Sequence, residues 1–188
     1  MSAGRAAAPG RIRIIGGSLR NSRLEVPDLP GLRPTAERVR ETLFNWLAPV
    51  IAGARCLDLC AGTGALGIEA LSRGAASVQF VERDVRAAQV LRGNLVRLKA
   101  TAGKVAVLAA EEFLAGPPQP HDLVFLDPPF ALELWAPLAR QLERGWLAAQ
   151  AMIYVESPRQ GVPELPRNWM LQREGRAGEV RFALYRRQ

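Results

Sequence analysis

One ten-residue run constrains this chain more than any other: Asp58-Leu59-Cys60-Ala61-Gly62-Thr63-Gly64-Ala65-Leu66-Gly67. It takes over from a short apolar strand pattern, Arg55–Leu59. It leads into a helical pattern that runs to about Arg73 and is closed by Gly74. Gly62, Gly64 and Gly67 fit the spacing G-x-G-x-x-G, the tight turn that joins a strand to a helix packed closely on its sheet. A second strand, Ser77–Val81, ends at an acid, Glu82, which stands 20 residues after Gly62. A strand, glycine turn, helix and strand in that order form a parallel βαβ unit.

The pattern continues on the C-terminal side. Arg86–Leu98 reads as a helix with Val90, Leu91, Leu95 and Leu98 on one face, and Val105–Leu108 as the third strand. Leu123–Leu126 is the fourth strand, Glu133–Leu142 a helix and Ala151–Val155 the fifth strand. Trp169–Gln172 and Val180–Tyr185 form a closing pair around Gly175 and Gly178, an antiparallel edge. Strands alternating with helices predict an α/β fold, a mostly parallel sheet covered by helices on both faces. Upstream, Arg11–Ile15 alternates Arg and Ile, Gly16-Gly17 turns, and Ser18–Val26 returns as a second hairpin strand. Pro27, Pro30 and Pro34 keep the following segment extended, and Thr35 is the expected N-cap of a helix over Ala36–Leu47. Residues 1–10 read as a disordered tail.

A chain of 188 residues with 48% hydrophobic content suits one domain with a small appendage. No apolar run of about 18 residues is present to span a membrane, and the N-terminus lacks the apolar stretch of a secretory signal. Cys56 and Cys60 lie about 13 Å apart along a strand, too far to bridge. With His121 the only histidine, a zinc site has too few ligands. The reading is a metal-free, reduced, cytoplasmic protein, with His121 capping the turn before the fourth strand. The net charge of +7 is uneven: residues 1–40 hold eight Arg against Glu25, Asp28 and Glu37, while the remaining chain is nearly balanced. A basic front end predicts a polyanionic partner met from that side.

The acids narrow the ligand. Asp58 sits where a pyrophosphate would approach the glycine loop, and a carboxylate there repels phosphate but attracts an ammonium group. S-adenosylmethionine carries an α-ammonium, a ribose and an adenine. The order acid, glycines, acid therefore fits it better than a dinucleotide, with Glu82 placed for the ribose hydroxyls. Asp127-Pro128-Pro129-Phe130 follows the fourth strand, at the carboxyl end where open α/β sheets hold ligands. The prolines remove backbone donors and stiffen the chain, leaving the Asp127 carboxylate and the Asp127 and Pro128 carbonyls as fixed acceptors. Phe130 offers a flat face for a base. This suits a planar substrate with an exocyclic NH₂ whose lone pair must be turned toward a methyl donor.

Three more stretches carry a resemblance: Arg11–Gly17, Gly31-Leu32-Arg33-Pro34-Thr35 and Arg38-Val39-Arg40-Glu41-Thr42-Leu43-Phe44-Asn45-Trp46-Leu47. Together with Gly64–Gly67, Asp127–Phe130 and Tyr154-Val155-Glu156-Ser157, they resemble the bacterial 16S rRNA guanine-N2 methyltransferases that modify guanine 966. These are class I S-adenosylmethionine-dependent enzymes. The resemblance spans Arg11 to Arg186. It implies a Rossmann-like domain (35–188) with a seven-stranded sheet, an N-terminal β-hairpin and linker (11–34) that contacts RNA, and action on assembled or nearly assembled small subunits. The cofactor would be held by Asp58, Ala61, Gly62, Gly64, Glu82, Arg83, Ala110 and Glu111, and the guanine by Asp127, Pro128, Pro129 and Phe130. Arg11, Arg13, Arg20, Arg23 and Arg38 would grip rRNA. Of Arg38 and Arg40, on the helix before the first strand, one is expected to line the site mouth and the other to be solvated or paired with Glu37 or Glu41. The family often has Asp or Asn beside the adenine where this chain has Ala109-Ala110-Glu111. Two other readings stay open: an amino methyltransferase acting on adenine N6 or a protein amide, and a non-catalytic RNA-binding module.

Overall fold

The structure, a computed structural model, describes residues 10–32 and 34–188; the expected N-terminal tail lies outside the described residues except for Gly10. It opens with a short antiparallel hairpin, β1 (Arg11–Arg13) and β2 (Arg23–Glu25), in which Ile12 faces Leu24. The regular strands are shorter than the sequence pattern, because Ile15–Ser22 leaves the ladder to dock on the body. Helix α1 (Glu37–Leu47) buries Val39, Leu43, Phe44 and Leu47, as the apolar spacing requires. Its N-cap is Ala36 with no side-chain cap, not Thr35; the Thr35 hydroxyl is engaged instead with Glu156.

The body alternates as expected. β3 (Arg55–Asp58), α2 (Ala65–Ser72), β4 (Ser77–Val81), α3 (Val85–Arg97) and β5 (Gly103–Ala106) build one side. α4 (Ala110–Leu114), β6 (His121–Leu126), α5 (Trp135–Leu142), β7 (Leu147–Pro158), β8 (Trp169–Ala177) and β9 (Val180–Arg187) build the other. The sheet order is β5-β4-β3-β6-β7-β9-β8, parallel from β5 through β7 and antiparallel at β7/β9 and β9/β8. β5 begins two residues earlier than its sequence pattern, because Val78 pairs with Gly103 and Val81 with Ala106. The chain builds outward from β3, then jumps back to place β6 on the other side. The topological switch therefore falls between β3 and β6, where a cleft opens at the carboxyl ends of parallel strands.

Alternate strand residues feed two cores. Cys56, Phe80, Phe125 and Tyr154 pack on one face with Phe44, Ile68 and Leu91. Leu57, Val81, Val124 and Ile153 pack on the other with Leu138, Leu142 and Trp146. Gly67 is required by this packing, since a Cβ there would lie 2.2 Å from the Phe80 ring. α3 is capped by Asp84, whose carboxylate accepts from the Arg86 and Ala87 amides at 2.8 and 3.0 Å. His121 heads β6 rather than capping a turn: its ring stacks on Trp146, and its amide donates to the Trp146 carbonyl.

The hairpin is tied to the body at both ends. Ile12, Ile14, Leu24 and Val26 are buried in the first of the two cores. Gly17 adopts φ +77°, and a Cβ there would lie 1.8 Å from the Ser72 carbonyl oxygen. The Ser18 amide donates to that carbonyl at 2.7 Å, the Leu19 amide donates to the Ser72 hydroxyl at 2.9 Å, and the hydroxyl donates to the Gly16 carbonyl. The wholly buried Glu69 accepts from the Ile15 and Gly16 amides, each at 2.9 Å, and from Arg73 at 2.8 Å. Arg40 lies 3.6 Å from the same carboxylate and donates to the carbonyls of Arg13 and Thr35. Arg40 is thus a buried strut, not a surface residue paired with Glu37 or Glu41; its partner is on α2, and Glu37 pairs with Arg13. On the far side, Asn94 of α3 bonds the backbone of Glu25.

Candidate active site

Three neighbouring parallel strands, β4, β3 and β6, deliver Glu82, Asp58 and Asp127, acids singled out in the sequence. Asp58 is the last residue of β3 and is buried, 3% exposed, with Oδ2 accepting from the Gly67 amide at 3.1 Å. Burial pushes its carboxyl up to about 7; the Gly67 amide opposes this and the charge of Glu82 adds to it. Glu82, just past β4, braces the glycine loop: Oε2 accepts from the Gly62 amide at 2.7 Å and Oε1 from the Asp84 amide at 2.8 Å. The loop closes on itself through the Gly64 amide and the Ala61 carbonyl at 2.7 Å, while the Ala61 amide donates to Val81. Asp127 follows β6 and is half-buried. Desolvation pushes its carboxyl well above the usual carboxylate range, and the charges of Glu156 and Asp58 raise it further.

The thiol of Cys60 marks where these groups converge. Burial raises it first, then the charges of Asp127, Asp58, Glu82 and Glu111, so it stays a neutral thiol. Four of the expected site acids, drawn from both the cofactor set and the base set, therefore lie near enough to Cys60 for their charges to raise its thiol. Ala61 and Ala110 are buried, and Glu111 is half-buried on the first turn of α4. Arg83 is exposed. Among the described residues, no Lys or Arg forms an ion pair with Asp58, Glu82, Asp127 or Glu156, and no cluster of His, Cys, Asp and Glu is arranged to hold a metal. Buried acids without a fixed counter-ion suit a cationic ligand.

After Asp127 the chain is rigid. Pro128 is buried and Pro129 exposed; Pro129 accepts from the Leu132 amide at 3.0 Å and starts a single 3₁₀ turn over Phe130–Leu132. The carbonyls of Asp127 and Pro128 accept no hydrogen bond among the described residues. Phe130 is half-buried, tilted against Trp135 with centroids 5.6 Å apart. The Trp135 indole N–H donates to the Glu156 carbonyl at 2.8 Å.

Glu156 belongs to this site and was not among the sequence candidates. It lies in the buried part of β7, is 8% exposed, and accepts from the Tyr154 hydroxyl at 2.8 Å. Its sequence signal was available: a lone acid at the carboxyl end of the strand that follows Asp127.

The basic candidates lie elsewhere. Arg11, Arg13, Arg20, Arg23 and Arg38 are all exposed. Arg13 is committed to Glu37 and reaches Asn21 at 3.4 Å. Arg11 and Arg23 line a surface hollow with Leu24, Glu25 and Arg97. Arg97, in the last turn of α3, was missed by the sequence reading, because only the docking of the hairpin brings it beside β2. Its guanidinium donates to the Arg23 carbonyl and to Asn94 Oδ1.

A family model described as "Conserved hypothetical protein 95" matches residues 12–186. The ribosomal RNA small subunit methyltransferase D of Escherichia coli K12 is 54% identical over 181 residues, covering 95% of this chain and 91% of that one. The chain belongs to the ribosomal RNA small subunit methyltransferase D family. Its Haemophilus influenzae relative of the same name is 45% identical, with 95% of each chain covered. A solved putative methyltransferase from E. coli superposes with a TM-score of 0.89 at 51% identity, over 95% of this chain and 99% of that one. A solved putative methylase from H. influenzae superposes at 0.80 with 41% identity and the same coverage. The family's seven-stranded sheet and N-terminal hairpin are both present here.

Proposed function

We propose that this protein transfers a methyl group from S-adenosylmethionine to the exocyclic N2 of guanine 966 in 16S rRNA, acting as a cytoplasmic monomer on the small ribosomal subunit. Residues 11–34 form its RNA-contacting appendage and 35–188 its methyltransferase domain. The relatives' shared name supports the rRNA substrate. The observation that carries the chemistry is the placement of Asp58, Glu82 and Asp127 at the carboxyl ends of the adjacent strands β3, β4 and β6, beside the two open carbonyls of Asp127 and Pro128.

The residues present fit the cofactor. The Asp58 carboxylate has one amide partner and is otherwise desolvated, as a holder of an α-ammonium should be. Each Glu82 oxygen accepts one amide and keeps a lone pair for a ribose hydroxyl. Ala110 gives the adenine a small, buried neighbour, with Glu111 at the rim. When bound, S-adenosylmethionine supplies an electrophilic methyl on a positively charged sulfur.

The chain's own residues prepare the nucleophile. The guanine amino nitrogen is weak because its lone pair is delocalised into the ring. Hydrogen bonds from its N–H groups to the Asp127 carboxylate and the Pro128 carbonyl draw the nitrogen toward pyramidal geometry and hold it in line. As the nitrogen gains its methyl it becomes positive and acidic, and its extra proton passes to Asp127 or to water. Phe130, braced by Trp135, stacks on the base, a contribution of ~1–3 kcal/mol. Arg11, Arg23 and the exposed Arg20 and Arg38 contact phosphates.

The test is incubation with labelled S-adenosylmethionine and small subunits lacking the modification, with naked 16S rRNA in parallel, followed by mass spectrometry of the nucleosides. N2-methylguanosine from subunits is expected. N6-methyladenosine, or no transfer to either RNA, overturns the proposal.

A further inference from the structure

The acid that the mechanism leaves unused is Glu156. β6 and β7 run parallel with Leu126 paired to Val155, so Asp127, just past the end of β6, and Glu156, the next residue of β7, lie on neighbouring strands. Glu156 is held firmly. The Tyr154 hydroxyl donates to Oε2 at 2.8 Å, the Thr35 hydroxyl engages the same carboxylate, and Trp135 anchors its carbonyl. Tyr154 is itself fully buried, its ring 6.3 Å from Phe125. Burial raises the Glu156 carboxyl above its ordinary range, while the Tyr154 and Thr35 hydroxyls oppose this and favour the ionised acceptor; four lone-pair sites leave capacity after two bonds.

The target guanine presents two adjacent donors on its Watson–Crick edge, N1–H and the N2 amino group. Adenine presents an acceptor, N1, beside its amino group. With Asp127 and Pro128 accepting from N2, the next acceptor along that edge has to come from the strand beside β6. We propose that Glu156 is the guanine-specifying residue of this enzyme, its carboxylate accepting the N1–H of the extruded base while Asp127 and Pro128 accept from N2. Adenine in the same place sets its N1 lone pair against a carboxylate, which repels it and leaves the carboxylate unpartnered. The inference rests on guanine N2 being the methylated atom.

The experiment uses small subunits reconstituted from ligated 16S rRNA carrying either guanine or 2-aminopurine at the target position. 2-Aminopurine keeps the N2 amino group and lacks N1–H. The wild-type protein is expected to prefer guanine by about tenfold or more in kcat/KM. In Glu156→Gln that ratio collapses toward one or inverts, because the amide can donate to the unprotonated N1. Cofactor affinity by calorimetry stays within a few-fold. A wild-type ratio near one, or an unchanged ratio in the variant, overturns the inference. Should Glu156→Gln fail to fold, Tyr154→Phe, which releases Glu156 from its donor, is expected to lower the ratio severalfold; an unchanged ratio there also overturns it. Absence of N2-methylguanosine from wild-type reactions on guanine subunits sinks the functional reading itself, separately from the role of Glu156.

Discussion

Asn94 meets Glu25 as one strand meets another: its Oδ1 accepts from the Glu25 amide at 3.0 Å and its Nδ2 donates to the Glu25 carbonyl at 2.9 Å. Asn94 is 2% exposed, so this side chain stands in for a missing strand along one edge of β2. Asn94→Ala removes both bonds and the acceptor of Arg97. It is expected to destabilise the protein by about 1–3 kcal/mol in urea titration. It should also raise KM for subunits more than it lowers kcat. A KM at the wild-type value would show that the hairpin holds its place without this contact.

Glu69 gathers the other end. Glu69→Leu leaves the Ile15 and Gly16 amides without their acceptor and Arg40 as a buried charge without its partner. A loss of about 3–5 kcal/mol is expected, with a lower Tm. Replacing Arg40 and Glu69 together by Met and Leu should recover part of that loss. If the double variant is worse than Glu69→Leu alone, the pair contributes more than the avoidance of an unpaired charge.

The titration of Asp58 gives a pH signature. Its carboxyl is pushed up to about 7 from an ordinary 3.8. The folded, ligand-free protein therefore keeps a proton there that the unfolded chain releases. The stability linked to that proton is fully present below about 3.8 and is lost as pH rises through about 7. An ammonium bound beside Asp58 favours the ionised carboxylate. Affinity for S-adenosylhomocysteine, which has the ammonium but no sulfonium, should rise between roughly pH 5.5 and 7.5, by at most about tenfold per unit, and then level off. Calorimetry across that range checks it. Asp58→Asn should bind weakly with a flat profile, and a flat wild-type profile would remove the ammonium assignment.

Asp127 separates binding from transfer. Asp127→Ala is expected to leave cofactor affinity within a few-fold while single-turnover methylation falls by at least about a hundredfold. Equal losses in both would move Asp127 from the base to the cofactor.

Arg11, Arg23 and Arg97 share one hollow. Replacing Arg97 by Gln should weaken subunit binding and lower the slope of log affinity against log salt by about one, as loss of a phosphate contact does. The Arg13→Gln variant, whose guanidinium is already committed to Glu37, should change the slope less. The reverse ranking would place the RNA on the other face of the hairpin.

The sheet and the places of Asp58, Glu82 and Asp127 at its strand ends were legible because their signals are local. Apolar runs separated by one helix length define the strands, and Asp58, Glu82 and Asp127 each follow such a run. What stayed hidden depends on partners remote in sequence. Arg40 sits in an Arg- and Glu-rich helix and reads as surface, yet Glu69 and two carbonyls enclose it. Arg97 joins the basic hollow only because Asn94 docks β2 beside it. Glu156 acquires its place from strand register. α4 was missed for a different reason: Ala-Glu-Glu-Phe-Leu is too short to show a helical period. β5 was displaced because its pairing with β4, rather than its own hydrophobicity, selects the residues in the ladder.

The contact between Gly17 and the Ser72 carbonyl has a geometric consequence. Ser72 closes the same helix that begins at the glycine loop, so the arginine-bearing hairpin and the methyl-transfer pocket are two marks on one stiff rule. An RNA touching both must already hold its phosphates and its target base at the separation the protein sets.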